Sequence, residues 1–82
     1  MKQQWRVHRN IEVTSYLVGL RYDGVAIRAA IESLKENGIP PNATLTQEPN
    51  TYLWLAAEHW IVAVKEENNQ AIYVTAIARS DD

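Results

Sequence analysis

The sequence contains no cysteine. That absence excludes disulfides, thiolate metal sites and thiol nucleophiles together. Secreted domains this short rely on such staples, so a cytoplasmic setting is expected. Phenylalanine is also missing, and there is a single methionine. The three glycines, Gly19, Gly24 and Gly38, stand apart from one another, so there is no glycine-rich loop to cradle a phosphate. Neither a GxSxG elbow nor a His-Glu-x-x-His motif occurs. No run reaches the roughly 18 apolar residues of a membrane span. The opening MKQQWRVHRN lacks the apolar centre of a signal peptide. The histidines, His8 and His59, are distant in sequence, and neither has partners at metal-ligand spacing. Zinc needs about three convergent protein ligands, so no metal and no cofactor is expected.

What is present fits one globular domain. The chain has 82 residues, 46% of them hydrophobic and 22% charged. That is enough apolar material for a core of modest size and too much for a disordered chain. The net charge of −2 names no partner, but its distribution is uneven. Through Lys35, six basic residues (Lys2, Arg6, Arg9, Arg21, Arg28, Lys35) outnumber Glu12, Asp23 and Glu32, giving +3. From Glu36 onward, Lys65 and Arg79 face seven acidic residues, giving −5. Such asymmetry either steers a charged partner or mixes into an ordinary solvated surface.

The clearest element is a helix over residues 24–37. Asp23 can cap it by accepting backbone N–H groups of the first turn. Ile27, Ala30, Ile31 and Leu34 form its apolar stripe. Asn37-Gly38 and then Pro40-Pro41 end it. Residues 4–8 alternate as a short strand. Residues 11–22 (IEVTSYLVGLRY), rich in β-branched and aromatic types, are expected as a strand too, with helix as the weaker choice. ATLTQ suggests a brief strand and Glu48-Pro49-Asn50 a turn. The stretch from Tyr52 to Glu66 fits two strands reversing near Glu58, and equally a helix with Leu53, Ala56, Ala57, Trp60, Ile61 and Val64 on one face. Strands are preferred because WIVAV is β-branched and Glu67-Asn68-Asn69-Gln70 is a suitable turn into AIYVTAIAR. The expected fold is α+β: about five strands in the order ββα-βββ, forming an antiparallel sheet with one helix packed across one face.

Three tryptophans (Trp5, Trp54, Trp60) and four tyrosines (Tyr16, Tyr22, Tyr52, Tyr73) are many rings for this length. Either they replace phenylalanine in the core or some anchor a binding surface, where Trp and Tyr are enriched. Both faces of the strand at 52–57 are apolar, and one helix covers only one face of a sheet. Tyr52, Trp54 and Trp60 are therefore the candidate binding residues, and the expected partner is another protein, a second copy of the chain, or both. Arg6, His8, Arg21 and Arg28, with Trp5 and Tyr22 nearby, are a candidate nucleic-acid surface. Nucleic-acid domains are usually basic overall, and this chain is slightly acidic.

The C-terminal stretch HWIVAVKEENNQAIYVTAIARS resembles the last two strands of the RelE/ParE ribonuclease-toxin superfamily. Members of that family often end in a strand, an acidic turn, a second strand and a basic residue. The likeness spans about a quarter of the chain. It implies a small ribonuclease, with Lys65 and Arg79 at positions where the family tends to place phosphate-contacting or catalytic basic residues. Those toxins are typically basic and usually carry two helices after the first strand, where this sequence reads as one. The absence of every catalytic motif favours instead a small non-enzymatic interaction protein: a regulator, an inhibitor or an immunity-type factor. The ribonuclease and a nucleic-acid-binding module are the alternatives.

Overall fold

A computed structural model describes residues 4–20 and 24–81. The first strand, β1 (Arg6–Arg9), leads into helix α1 (Ile11–Leu20), then helix α2 (Gly24–Glu32) and its one-turn extension α3 (Leu34–Asn37). Four strands follow: β2 (Thr44–Leu45), β3 (Thr51–Ala56), β4 (His59–Glu66) and β5 (Ala71–Arg79). They form a single five-stranded sheet in the order β1-β5-β4-β3-β2.

Three expectations are corrected. The sheet is mixed, because β1 runs parallel to β5 while every other pairing is antiparallel. Residues 11–20 are helix rather than strand. Two helices, not one, therefore lie between the first strand and the rest of the sheet, and the element order is βαα followed by four strands. The start of α1 shows why. The Asn10 side chain caps it, its Oδ1 accepting the Val13 N–H at 2.8 Å, while its carbonyl takes the Thr14 N–H at 3.1 Å. The Asn10 amide also donates to the Thr75 carbonyl at 2.9 Å, fixing the helix entry to β5. Val13 and Leu17 are buried, with Tyr16 and Leu20 packed beside them. That is helical spacing, and packing overrides the β-propensity of the individual residues.

The second helical stretch occupies residues 24–37 as expected, with Ile27, Ile31 and Leu34 in the core. At Ser33 the helix tightens, and the Ser33 hydroxyl donates to the Ala30 carbonyl at 2.7 Å. The expected cap Asp23 lies outside the described residues. At the other end Gly38 has φ +72°, and its N–H donates to the Leu34 carbonyl at 3.0 Å. A side chain there would meet the Trp5 indole, since an added Cβ comes within 3.0 Å of Nε1. Trp5 in turn donates its backbone N–H to the Lys35 carbonyl at 2.8 Å, so the N-terminal segment is tied to this helix end.

Residues 52–66 resolve as the two strands β3 and β4. Their two-residue turn is made by Ala57 and Glu58, with φ 50° and 62°. Two consecutive left-handed residues make the turn that suits the twist of a hairpin, and Asn-Gly is its preferred sequence. Alanine and glutamate adopt that conformation at a cost of about 1 kcal/mol each or more. Replacing Ala57→Asn and Glu58→Gly together should therefore raise stability by roughly 1 kcal/mol. Thermal unfolding checks this, and an unchanged or lowered midpoint would contradict the turn conformation.

Candidate functional site

The register decides which strand residues share a face. Trp54 pairs with Ile61, which pairs with Ile77, and Tyr52 pairs with Ala63. These belong to the face covered by the helices, where Trp54, Ile61, Ala63, Ile72 and Val74 join Val13, Leu17, Ile27, Ile31 and Leu34 in one buried cluster. The alternate residues form the opposite face, over which no described helix packs. Its rows are Leu55–Trp60–Ala78, then Leu53–Val62–Ala76, then Thr51–Val64–Tyr73–His8. A β-bulge between Val62 and Ala63 accommodates the extra residue Thr75 and keeps these rows in phase.

The three candidate binding residues are thus divided between two environments. Trp54 is 3% exposed and belongs to the core. Tyr52 is half-buried on the same face, its ring 5.7 Å from the Lys65 ammonium, which lies at the same distance from the Trp5 ring. Trp60 projects from the middle strand onto the open face and is 42% exposed, beside Leu55 at 45%. The centre of this face carries no charged side chain. Its charged and titratable strand residues are Arg6 and His8 on the edge strand β1, Tyr73 on β5 and Glu66 at the end of β4. His8 stacks on Tyr73, with ring centroids 5.0 Å apart.

The described members of the candidate nucleic-acid set are divided between the sheet and a helix. Arg6 and His8 are on β1, whereas Arg28 is on α2 and donates to the Leu17 carbonyl. Arg21 and Tyr22 lie outside the described residues. Lys65 and Arg79 are also separated. Arg79 pairs with His59 at one end of β4, and Lys65 is six residues further along that strand, a separation of about 20 Å at the rise of a strand. Each has an acidic neighbour: Lys65 sits 3.2 Å from Glu67, and Arg79 sits 3.4 Å from Asp81. On α2 and α3 the Lys35 ammonium, 2.8 Å from Glu32, holds that carboxyl below the ordinary range through a hydrogen bond and its charge.

His59 is buried, and both of its ring nitrogens are engaged. Nδ1 lies 2.8 Å from the Ala57 carbonyl, which can only accept, so Nδ1 carries the proton. In the neutral ring Nε2 is then the acceptor of a hydrogen bond from the Tyr16 hydroxyl, 3.0 Å away. The pair ties α1 to the β3–β4 turn. No local pattern signals this contact, because 43 positions separate its partners. Tyr16→Phe should leave Nε2 buried without a donor and cost about 1–3 kcal/mol. Urea unfolding measures this, and a loss within a few tenths would show that the bond is not needed.

Two of the concavities on the described surface lie against β3 and its turn into β4. A groove of about 310 Å³ runs between α2, the Pro40-Pro41 loop and β3, lined by Ala30, Leu34, Pro41, Trp54 and Ala56 among others and by no titratable side chain. A second, of about 320 Å³, lies at the β3–β4 turn against Ala26, Glu58, His59 and Arg79. Among the described residues no group of three or more His, Cys, Asp or Glu side chains is placed to hold a metal ion. None of the described helices is long and apolar enough to cross a membrane. The chain matches no protein-family model and no curated protein.

Proposed function

We propose that this chain is a non-enzymatic interaction protein, a regulator, inhibitor or immunity-type factor of the cytoplasm, that binds another protein through the open face of its sheet. The observation that carries the reading is Trp60, 42% exposed on the middle strand within an uncharged apolar surface. A partly exposed tryptophan amid aliphatic side chains is the usual composition of an interface centre, where charge is depleted and Trp is enriched. The edges of the sheet are poor docking sites by comparison. β1 carries Arg6 and Arg9, and β2 is only two residues long, both of which discourage strand addition.

The test is affinity capture from the native cell with wild type, Trp60→Glu and a control, Val25→Glu. Val25 is also exposed, at 67%, but on α2. A protein retained by wild type and control and lost by Trp60→Glu is the expected outcome. Equal retention by all three would refute the reading.

The ribonuclease reading gains one observation. Two helices follow the first strand, the arrangement that the resemblance to RelE/ParE toxins calls for. Against it, Lys65 and Arg79 stand at opposite ends of β4 and do not converge. RNA cleavage by purified protein, abolished by Arg79→Ala, would decide in its favour.

A further inference from the structure

We infer that one occupant of the open sheet face is a second copy of this chain, docked about a two-fold axis that runs along β4. The inference rests on the interaction reading above and names the partner of that same surface. It starts from the shape of the face. β4 is the middle strand of five. On its β3 side stand the large residues Leu53 and Leu55, and on its β5 side, in the same two rows, stand Ala76 and Ala78. In these two rows the surface therefore steps from high to low across β4, and in the next row, with Thr51 on the β3 side and Tyr73 on the β5 side, it steps the other way. A single helix laid along the strands offers no matching step. A second copy turned about an axis along β4 does, because β3 then lies over β5. Leu53 and Leu55 of each copy meet Ala76 and Ala78 of the other, and Trp60 and Val62 meet their own counterparts across the axis. This is the self-complementary pattern that a two-fold interface requires.

Charge and area agree with this arrangement. The uncharged centre brings no like charges together. Arg6 and His8 on β1 stand in the rows of Glu66 and Val64, beyond the rows that Thr44 and Leu45 occupy on β2, so they lie at the rim of the interface rather than in its centre. Glu66 alone approaches its own copy, at the solvent end of β4, where Asn69 already donates to it at 2.8 Å. Strands spaced about 4.8 Å apart and rising about 3.3 Å per residue make the face roughly 20 by 25 Å, or about 500 Å² per copy. The pair buries about 1,000 Å², the low end for a specific interface. The association should accordingly be reversible and of micromolar strength or weaker. Two sheets face to face at about 10 Å are an ordinary packing.

The experiment is sedimentation equilibrium of purified protein up to about 1 mM, a range in which even a millimolar Kd is visible. Four chains are compared: wild type, Trp60→Ala, Leu55→Glu and Ala76→Leu, each checked for its fold by circular dichroism. Wild type should move from monomer to dimer with concentration. Trp60→Ala should weaken the dimer about thirtyfold, and Leu55→Glu should abolish it. Ala76→Leu adds apolar surface yet fills the low side of the step, so it should weaken the dimer about tenfold or more. A monomeric wild type at the highest concentration would overturn the inference, as would a dimer that Trp60→Ala leaves intact or Ala76→Leu tightens. The outcome is separable from that of the interaction reading. If wild type stays monomeric while Trp60→Glu still loses a captured protein, only the second copy is excluded. If wild type dimerises and Trp60→Glu retains every captured protein, the reading that a different protein binds here fails instead.

Discussion

Trp54→Ala should unfold much of the population, whereas Trp60→Ala should melt close to wild type. The two residues lie on neighbouring strands but on opposite faces. Trp54 pairs with Ile61, and its indole is enclosed with Val13, Leu17, Ile27 and Leu34 in the buried cluster. Truncating such a side chain removes its transfer free energy and leaves a cavity that the surrounding helices fill only in part. The cost is about 3–5 kcal/mol. The total stability of a small domain lies at the low end of about 5–15 kcal/mol, so the variant would sit near its unfolding midpoint. Trp60 already exposes 42% of its surface, and its truncation leaves an indentation open to water rather than a void. A loss of about 1 kcal/mol or less is expected there. Urea titration of the two variants followed by far-ultraviolet circular dichroism makes the comparison. Equal losses would mean that the faces of β3 and β4 are not divided as described.

The same pair of tryptophans shows where sequence reasoning stops. The alternation of Tyr52, Leu53, Trp54 and Leu55 establishes that both faces of β3 are apolar. It does not establish which face the helices cover, because that depends on register with Ile61 and Ile77, residues whose pairing no local pattern encodes. The C-terminal strands were legible for a different reason. WIVAV and AIYVTAIAR are β-branched runs joined by a polar turn, and they form β4 and β5 about the 3₁₀ turn Glu67–Asn69. The stripe Ile27, Ile31, Leu34 was legible because a helix core and its glycine stop are local signals. The direction of β1 was not. Its parallel pairing joins Arg6 to Ala71 and follows from the path of the two intervening helices. The tight turn at Ala57-Glu58 lacked glycine, so its positive φ values were invisible as well. His59 offered only its titratable ring to the reader of the sequence, and Tyr16 arrives from a distant helix.

Residues 11–20 give the second large contrast, because strand and helix assign different neighbours to the same side chains. In a strand, Val18 shares a face with Thr14, Tyr16 and Leu20, while Leu17 points the other way with Val13. Either face could then be the buried one. In the helix α1, Val13, Tyr16, Leu17 and Leu20 line one side, and Leu17 is 2% exposed against 72% for Val18. Leu17→Ala should therefore cost about 2–5 kcal/mol through the cavity it leaves in the buried cluster. Val18→Ala should cost nothing and stabilise slightly, by about 0.5 kcal/mol, since alanine outranks valine on a solvent-facing helix position. The sign of the second effect is the diagnostic part. Alanine is a poorer strand former than valine, so a strand would lose stability at Val18 where the helix gains it. The two variants are to be compared by urea unfolding at one temperature, with helical content read near 222 nm. A Val18→Ala protein less stable than wild type, together with a mild Leu17→Ala, would mean that the Asn10 cap does not start a helix in solution.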